Sequence, residues 1–156
     1  MPAELDDPHD TVGGWAKRYY FANRAATETV LRPYGLGSAQ WAVLFQLAND
    51  GPTTQRDLGQ ILHVERATLS GVISTLVRKG LIDQIPDSVD QRQRLLQLTP
   101  AGEKLWGDLP DPFEIIRAVA LNGSTEEEIA TAIRVLRSAT ERVGDHMAEF
   151  STPPPD

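Results

Sequence analysis

There is no cysteine among the 156 residues, and there are only two methionines. Disulfide cross-links, thiol redox switches and cysteine-ligated metals are thereby excluded. Apolar runs are short. None reaches the roughly 18 residues of a membrane-spanning helix, so no membrane partner is expected. The opening residues, MPAELDDPHD, are acidic and lack the apolar stretch of a secretory signal. These absences lead to the expectation of a cytoplasmic chain. Also missing are a P-loop, a glycine-rich dinucleotide loop, an HExxH metal site and a nucleophile elbow. No catalytic residue is assigned and an enzyme is not expected. His9, His63 and His146 are scattered. Asp145 and Glu149 lie near His146, but a solvent-exposed helical histidine outweighs a metal ligand there, and neither metal nor cofactor is expected. Positive charge is scarce too, with 15 Lys and Arg against 22 Asp and Glu and a net charge of −7.

What remains is an ordinary globular composition, 40% hydrophobic and 24% charged. The length suits one domain, or one domain with an attached oligomerisation element. The acidity is unevenly spread. Between Thr53 and Lys104, seven basic and six acidic residues leave a window of +1, and the rest of the chain carries −8. A near-neutral segment with a few exposed arginines can still present a local basic face.

Residues 1–11 read as a disordered acidic arm. Val12, Trp15, Ala16, Tyr19, Ala22, Ala26 and Val30 then recur at helical spacing up to Leu31, where Arg32-Pro33 stops the pattern. Ser38 reads as the N-cap of a second helix, Ala39 to Ala48, followed by an Asn49-Asp50-Gly51-Pro52 turn. Thr54 and Asp57 open a short third helix. Leu69, Val72, Ile73, Leu76 and Val77 make the amphipathic stripe of a fourth, which Gly80 ends. Two strand-like runs, Leu81–Ile85 and Arg94–Leu98, flank a polar tip. Thr99-Pro100 starts a fifth helix, broken near Leu109 by Pro110 and Pro112. Ser124 to Glu127 reads as a capping box for a long last helix. Its Ile129, Ile133, Leu136, Thr140, Val143, Met147 and Phe150 form a heptad-type seam that suits a partner helix.

Helices, a short turn, a helix and then a charged hairpin form a winged helix-turn-helix order. The fold class expected is mainly α with a small β wing. With the fourth helix's stripe inward, Ala67, Ser70, Gly71, Ser74, Thr75 and Arg78 face outward or to the flanks. These small, polar or basic residues suit close approach to a major groove, and Arg66 at the helix start can reach a guanine edge. Arg92 and Arg94 suit a minor groove or its rim, with Asp90 able to orient Arg92 by a charge-assisted hydrogen bond. The candidate DNA contacts are therefore Thr54, Gln55, Arg66, Thr68, Ser70, Gly71, Ser74, Thr75, Arg78, Asp90, Arg92 and Arg94.

The stretch from Leu36 to Lys104 resembles the MarR (multiple antibiotic resistance regulator) family of transcription factors. The matching residues run from Gln40-Trp41 and Gly51-Pro52-Thr53-Thr54-Gln55 through Asp57-Leu58-Gly59 and Arg66-Ala-Thr-Leu. They continue through Leu76-Val-Arg-Lys-Gly80-Leu81-Ile82. Asp90-x-Arg92 followed by Leu98-Thr99-Pro100-Ala101-Gly102 is the most specific part. The first helix and the last helix resemble the family's dimerisation ends, so the likeness covers about residues 12–150. It implies dimerisation helices at 12–34 and 100–150, a winged DNA-binding domain at 36–99 and a disordered tail at 151–156. It also implies a homodimeric repressor on double-stranded DNA, a pseudo-palindromic operator. Gly71, Thr75, Gln84, Ile85 and Gln91 stand where the family often has basic residues, which implies fewer phosphate contacts.

The family often binds small aromatic or phenolic anions beside its dimerisation helices. Trp15, Tyr19, Trp41 and Phe45 with Arg24 are the candidate ligand residues on that resemblance. The competing reading makes Trp15, Trp41 and Phe45 plain core. Peroxide sensing by thiols, used in one branch of the family, is ruled out by the missing cysteine. The alternative function is a winged-helix protein-interaction adaptor that does not bind DNA, which the net −7 favours.

Overall fold

The computed structural model describes residues 7–150. The first helix is present over the expected span as α1 (Val12–Leu31). The Thr11 hydroxyl caps it by accepting from the Gly14 N–H. Asp7–Thr11, read as part of a disordered arm, instead make a turn: Asp10 N–H donates to the Asp7 carbonyl, and Arg18 reaches back to the His9 carbonyl. The remainder of that arm and the proline-rich tail lie outside the described residues. After α1 a single 3-10 turn, Arg32–Tyr34, leads to Gly35 at φ +68.

The second helix differs from its reading. It is α2 (Ser38–Asp50), longer at both ends, with Gly37 rather than Ser38 at the N-cap. Ser38 turns its polar groups to α1: its N–H donates to Glu28 Oε1 at 2.9 Å and its hydroxyl at 2.6 Å. A carboxylate is a stronger acceptor than a backbone carbonyl, so Glu28 captures the serine and satisfies the helix start from a neighbouring element. At the far end the chain reverses only at Gly51, φ +78, one residue beyond Asp50.

The chain then forms β1 (Thr53–Thr54), α3 (Gln55–Leu62) and α4 (Arg66–Arg78). The strands β2 (Ile82–Pro86) and β3 (Arg94–Leu98) follow. The sheet is antiparallel in the order β1-β3-β2, with Thr53 opposite Leu96, Ile82 opposite Leu98 and Pro86 opposite Arg94. β1 had no sequence signal, because two residues cannot show alternation. Leu81 is not in β2, since its N–H closes a Schellman motif onto the Leu76 carbonyl, with Gly80 left-handed at φ +73. Pro86 is tolerated at the end of an edge strand.

α5 (Pro100–Asp108) and α6 (Pro112–Ala120) are separated at the prolines, as read. The chain divides after Ile116 into two compact units. In the first, Leu69, Ile73 and Leu76 of α4 pack with Leu31, Leu44, Leu58, Ile82 and Leu96 in one buried core. Val77, the last member of the predicted stripe, is 40% exposed. In the second unit α7 (Glu126–Phe150) begins one residue later than its reading. The capping box is Thr125 with Glu128: each accepts from the other's backbone N–H. The Ser/Thr-x-x-Glu pattern occurs in two overlapping registers here, and the second forms. Within this chain Ile133, Leu136, Val143, Met147 and Phe150 of the α7 seam are exposed.

Three polar ties lock the first unit. Lys79, just past α4, donates to the Gly35 carbonyl at 2.6 Å and to Gln40 Oε1 at 3.3 Å. Thr99 caps α5 by accepting from the Gly102 N–H, and its hydroxyl donates to the Gly80 carbonyl at 2.6 Å. Glu28 holds α2 to α1 as described. The hydrogen bonds from the Ser38 hydroxyl and N–H, helped by Arg24 and Arg32, hold the Glu28 carboxyl below its ordinary value.

Gly102 is buried, and a Cβ there would stand 2.1 Å from the Leu81 carbonyl oxygen. Gly102→Ala must therefore push α5 away from the chain leading into β2. A loss of about 1–3 kcal/mol is expected from such overpacking. Urea denaturation checks it, and an unchanged midpoint would contradict the crowding argument.

A carboxyl whose folded value is lowered adds stability above its unfolded value and loses it as pH falls through the folded one. Glu28→Gln should thus be less stable than the parent at pH 7, with the gap closing under acid. Denaturation midpoints of both proteins between pH 7 and about pH 3 measure this. A gap that stays constant with pH would show that the Glu28 charge is not involved.

Candidate nucleic-acid interface

α3 crosses to α4 through His63, which adopts φ +52 in the left-handed region. That reversal lets buried Leu58 and Leu69 meet in the core and leaves the opposite faces of both helices open. The start of α4 has no side-chain cap and no acidic residue in its first turn. Its first N–H groups have no side-chain acceptor, although the N-cap residue is the acidic Glu65, and free N–H groups at a helix start can donate to an anion.

Between α3, the start of α4 and the wing lies an open groove of about 840 Å³. Thr54, Gln55, Arg66, Ser70, Arg92 and Arg94, all singled out from the sequence, line it together. Arg56, Gln60, Gln84 and Gln93 line it as well and were missed. The signal for Arg56 and Gln60 was present. They stand four apart on a helix whose buried position is Leu58, so they share the opposite side. Gln84 and Gln93 needed the strand register. The lining contains four arginines and no carboxylate, so the groove is locally positive in a chain of net −7.

The individual hydrogen bonds divide the candidates. Thr54 is buried, and its hydroxyl accepts from the Asp57 N–H at 3.1 Å, capping α3. Gln55 Nε2 donates to Ser70 Oγ at 2.9 Å, joining α3 to α4 across the groove. Thr68, Gly71, Ser74 and Arg78 are exposed along α4 outside the groove lining. Thr75 is half-buried, and its hydroxyl donates to the Gly71 carbonyl at 3.0 Å. The expected Asp90 contact is different: its carboxylate accepts from the Arg92 backbone N–H at 3.0 Å, not from the guanidinium. Asp90 is two residues before Arg92 in a turn, where an Asx-type bond to the backbone is the local solution. Arg92 therefore lies in the turn rather than on an ideal strand, and its side chain is left to the groove.

The candidate ligand residues do not form one pocket in this chain. Trp41 is 3% exposed and packs with Phe45, Trp106 and Phe113, the last edge-on at 4.6 Å. Its Nε1 is buried without a hydrogen-bond partner. Trp15 and Tyr19 are 57% and 48% exposed near the other end of α1. The Trp15 N–H donates to Asp10, and Arg18 stacks on its ring at 5.0 Å. Arg24 lies beside Glu28. The separation follows from helix length. Tyr19 and Trp15 precede Leu31, which is buried in the core, by 12 and 16 residues, or about 18 and 24 Å at 1.5 Å per residue. Among the described residues there is no group of three side chains able to hold a metal, and no helix long and apolar enough to cross a membrane.

A model of the MarR family matches residues 34–93. The uncharacterized HTH-type transcriptional regulator YwoH of Bacillus subtilis is 37% identical over 79 residues, 51% of this chain and 57% of that protein. The HTH-type transcriptional repressor NicR of Pseudomonas putida is 30% identical over 107 residues, 66% of this chain and 68% of NicR. The chain thus spans little more than half the length of YwoH. Among solved structures, BpsR of Bordetella bronchiseptica aligns at a TM-score of 0.73 with 27% identity. That alignment covers 83% of this chain and 98% of BpsR, whose DNA binding is regulated by 6-hydroxynicotinic acid.

Proposed function

Because the chain belongs to the MarR family of transcriptional regulators, we propose that it acts as a homodimeric repressor that binds a pseudo-palindromic operator. The groove lined by Arg56, Arg66, Arg92 and Arg94 without a single carboxylate carries this reading. In it, α4 enters the major groove, the uncapped start of α4 faces a phosphate, and the wing arginines reach the adjacent minor groove. Two copies present two such helices, spaced for half-sites about 34 Å apart. The exposed apolar residues of α7, and separately those of α1, are the surfaces available to the second copy. No catalytic step is involved.

A small aromatic anion acts as effector in this proposal. The supporting feature is the unpartnered Trp41 N–H among four packed rings, a donor that a carboxylate or phenolate oxygen would satisfy. The effector works by stabilising a dimer whose α4 helices are wrongly spaced for the operator, a shift of population rather than a blocked groove.

DNA from upstream of its own gene, titrated at several salt concentrations, tests the proposal. Specific binding that weakens steeply with salt is expected. Arg92→Ala should weaken it at least about tenfold. Sedimentation should give a dimer at micromolar protein. Absent or salt-insensitive binding would favour the protein-adaptor reading, and a stable monomer would remove the two-helix geometry.

A further inference from the structure

Gln55 is the first residue of α3, and the residue before it is anchored. Thr54 before it pairs with β3 and caps the helix through its hydroxyl. The glutamine side chain has several rotatable bonds, so the anchored backbone fixes where it starts but not where its amide ends. The amide is fixed by its bond to Ser70 Oγ at 2.9 Å, which lies on α4, one turn after Arg66. Both residues line the arginine groove.

The donor and acceptor inventory of this pair is specific. An amide has two N–H donors and one carbonyl acceptor. One N–H is committed to Ser70, so one N–H and Oε1 remain for a ligand. Adenine presents one acceptor, N7, beside one donor, its N6 amino group, on the major-groove edge. Guanine presents two acceptors, thymine an acceptor beside a methyl group, and cytosine a donor. Only adenine complements the remaining pair bidentately. We infer that Gln55, oriented by Ser70, reads an adenine in each half-site. Ser70 is the positioning residue, because its hydroxyl oxygen fixes the plane of the amide and decides which edge is turned to the base.

This inference rests on the DNA-binding reading above, and the test separates the two. Duplexes with a randomised core are selected on the full-length protein. The best duplex is then resynthesised with each base pair replaced in turn. The parent should prefer adenine at one position per half-site by roughly tenfold or more, the discrimination of a bidentate contact. Gln55→Ala should remove the preference at that position while leaving the others. Gln55→Glu, which keeps only acceptors, should move the preference toward cytosine, whose N4 amino group is a donor. Ser70→Ala should blunt the preference, and Ser70→Thr, which keeps the hydroxyl, should restore it. Arg92→Ala serves as the contrast and should weaken all duplexes. Circular dichroism confirms that each variant is folded. Unchanged base preference in folded Gln55→Ala or Gln55→Glu would overturn the inference while leaving DNA binding intact. Failure of the parent to select any duplex would overturn both.

Discussion

At the foot of the wing, four elements meet around Gly80, Leu81, Thr99 and Gly102, and the meeting depends on a missing side chain. Gly102 lets the first turn of α5 lie against the Leu81 carbonyl, where a Cβ would be 2.1 Å from the oxygen. Thr99 uses the space so created. Its hydroxyl accepts from the Gly102 N–H and donates to the Gly80 carbonyl, while its N–H donates to the Leu81 carbonyl. Gly80 and Leu81 also end α4 by a Schellman motif. One cluster of backbone groups therefore sets the end of α4, the entry to β2 and the exit from β3. The groove needs that, because its arginines come from separate pieces: Arg56 from α3, Arg66 from α4, Arg92 and Arg94 from the wing. If the wing root shifted, the charges would no longer converge.

Convergence also resolves the tension between a net charge of −7 and a nucleic-acid partner. Electrostatic attraction at contact depends on local charge, since charges beyond about 8–10 Å are screened at physiological salt. Four arginines around one groove act together at that range, and most of the acidic excess lies outside the segment that forms it. The surplus acidity acts on solubility and on the rate of approach rather than on the contact itself. With so few cations, each one counts for more. In the proposed DNA complex, the polar residues between them, Gln55, Gln60, Gln84 and Gln93, are the groups available to discriminate rather than simply attract.

Much of this architecture was legible in the sequence where one local rule had no competitor. Pro33 and Pro110 follow the ends of α1 and α5 because proline lacks an N–H and restricts its predecessor, and Pro112 opens α6, where the missing N–H costs nothing. The α4 stripe at Leu69, Ile73 and Leu76 is core because helical period leaves it no other use. The misreadings came where two partners compete for one group. Ser38 fits an N-cap by sequence, but a carboxylate ten residues earlier captures it. Asp90 fits an ion pair with Arg92, but the nearer backbone N–H takes it. The Trp15, Tyr19, Arg24, Trp41 and Phe45 grouping is split within one chain, with Trp41 and Phe45 packed together and Trp15 and Tyr19 exposed elsewhere on α1. Residue type suggested a common pocket, but length along α1 sets Trp15 and Tyr19 apart from the core end of that helix. The β1–β3 pairing depends on long-range register that no local pattern carries, and Gln84 reaches the groove through the β2–β3 register, opposite Leu96.

The bond that replaced the Ser38 cap has a consequence for motion. The junction between α1 and α2 is gripped from two sides. Glu28 of α1 holds the Ser38 N–H and hydroxyl, and Lys79 at the end of α4 holds the Gly35 carbonyl and Gln40. The segment between, Arg32–Gly37, contains the 3-10 turn and a left-handed Gly35, so it is the natural place for the chain to bend. A bend there cannot stay local. Changing the angle between α1 and α2 must stretch the Glu28 contacts, and displacing Gly35 must either break the Lys79 bond or pull the end of α4 with it. Charge-assisted hydrogen bonds of this kind are the stronger class, so following costs less than breaking for small displacements. α1 and α4 already share a core through Leu31, Leu69, Ile73 and Leu76, and the two grips on the junction add polar ties that couple the position of one to the other.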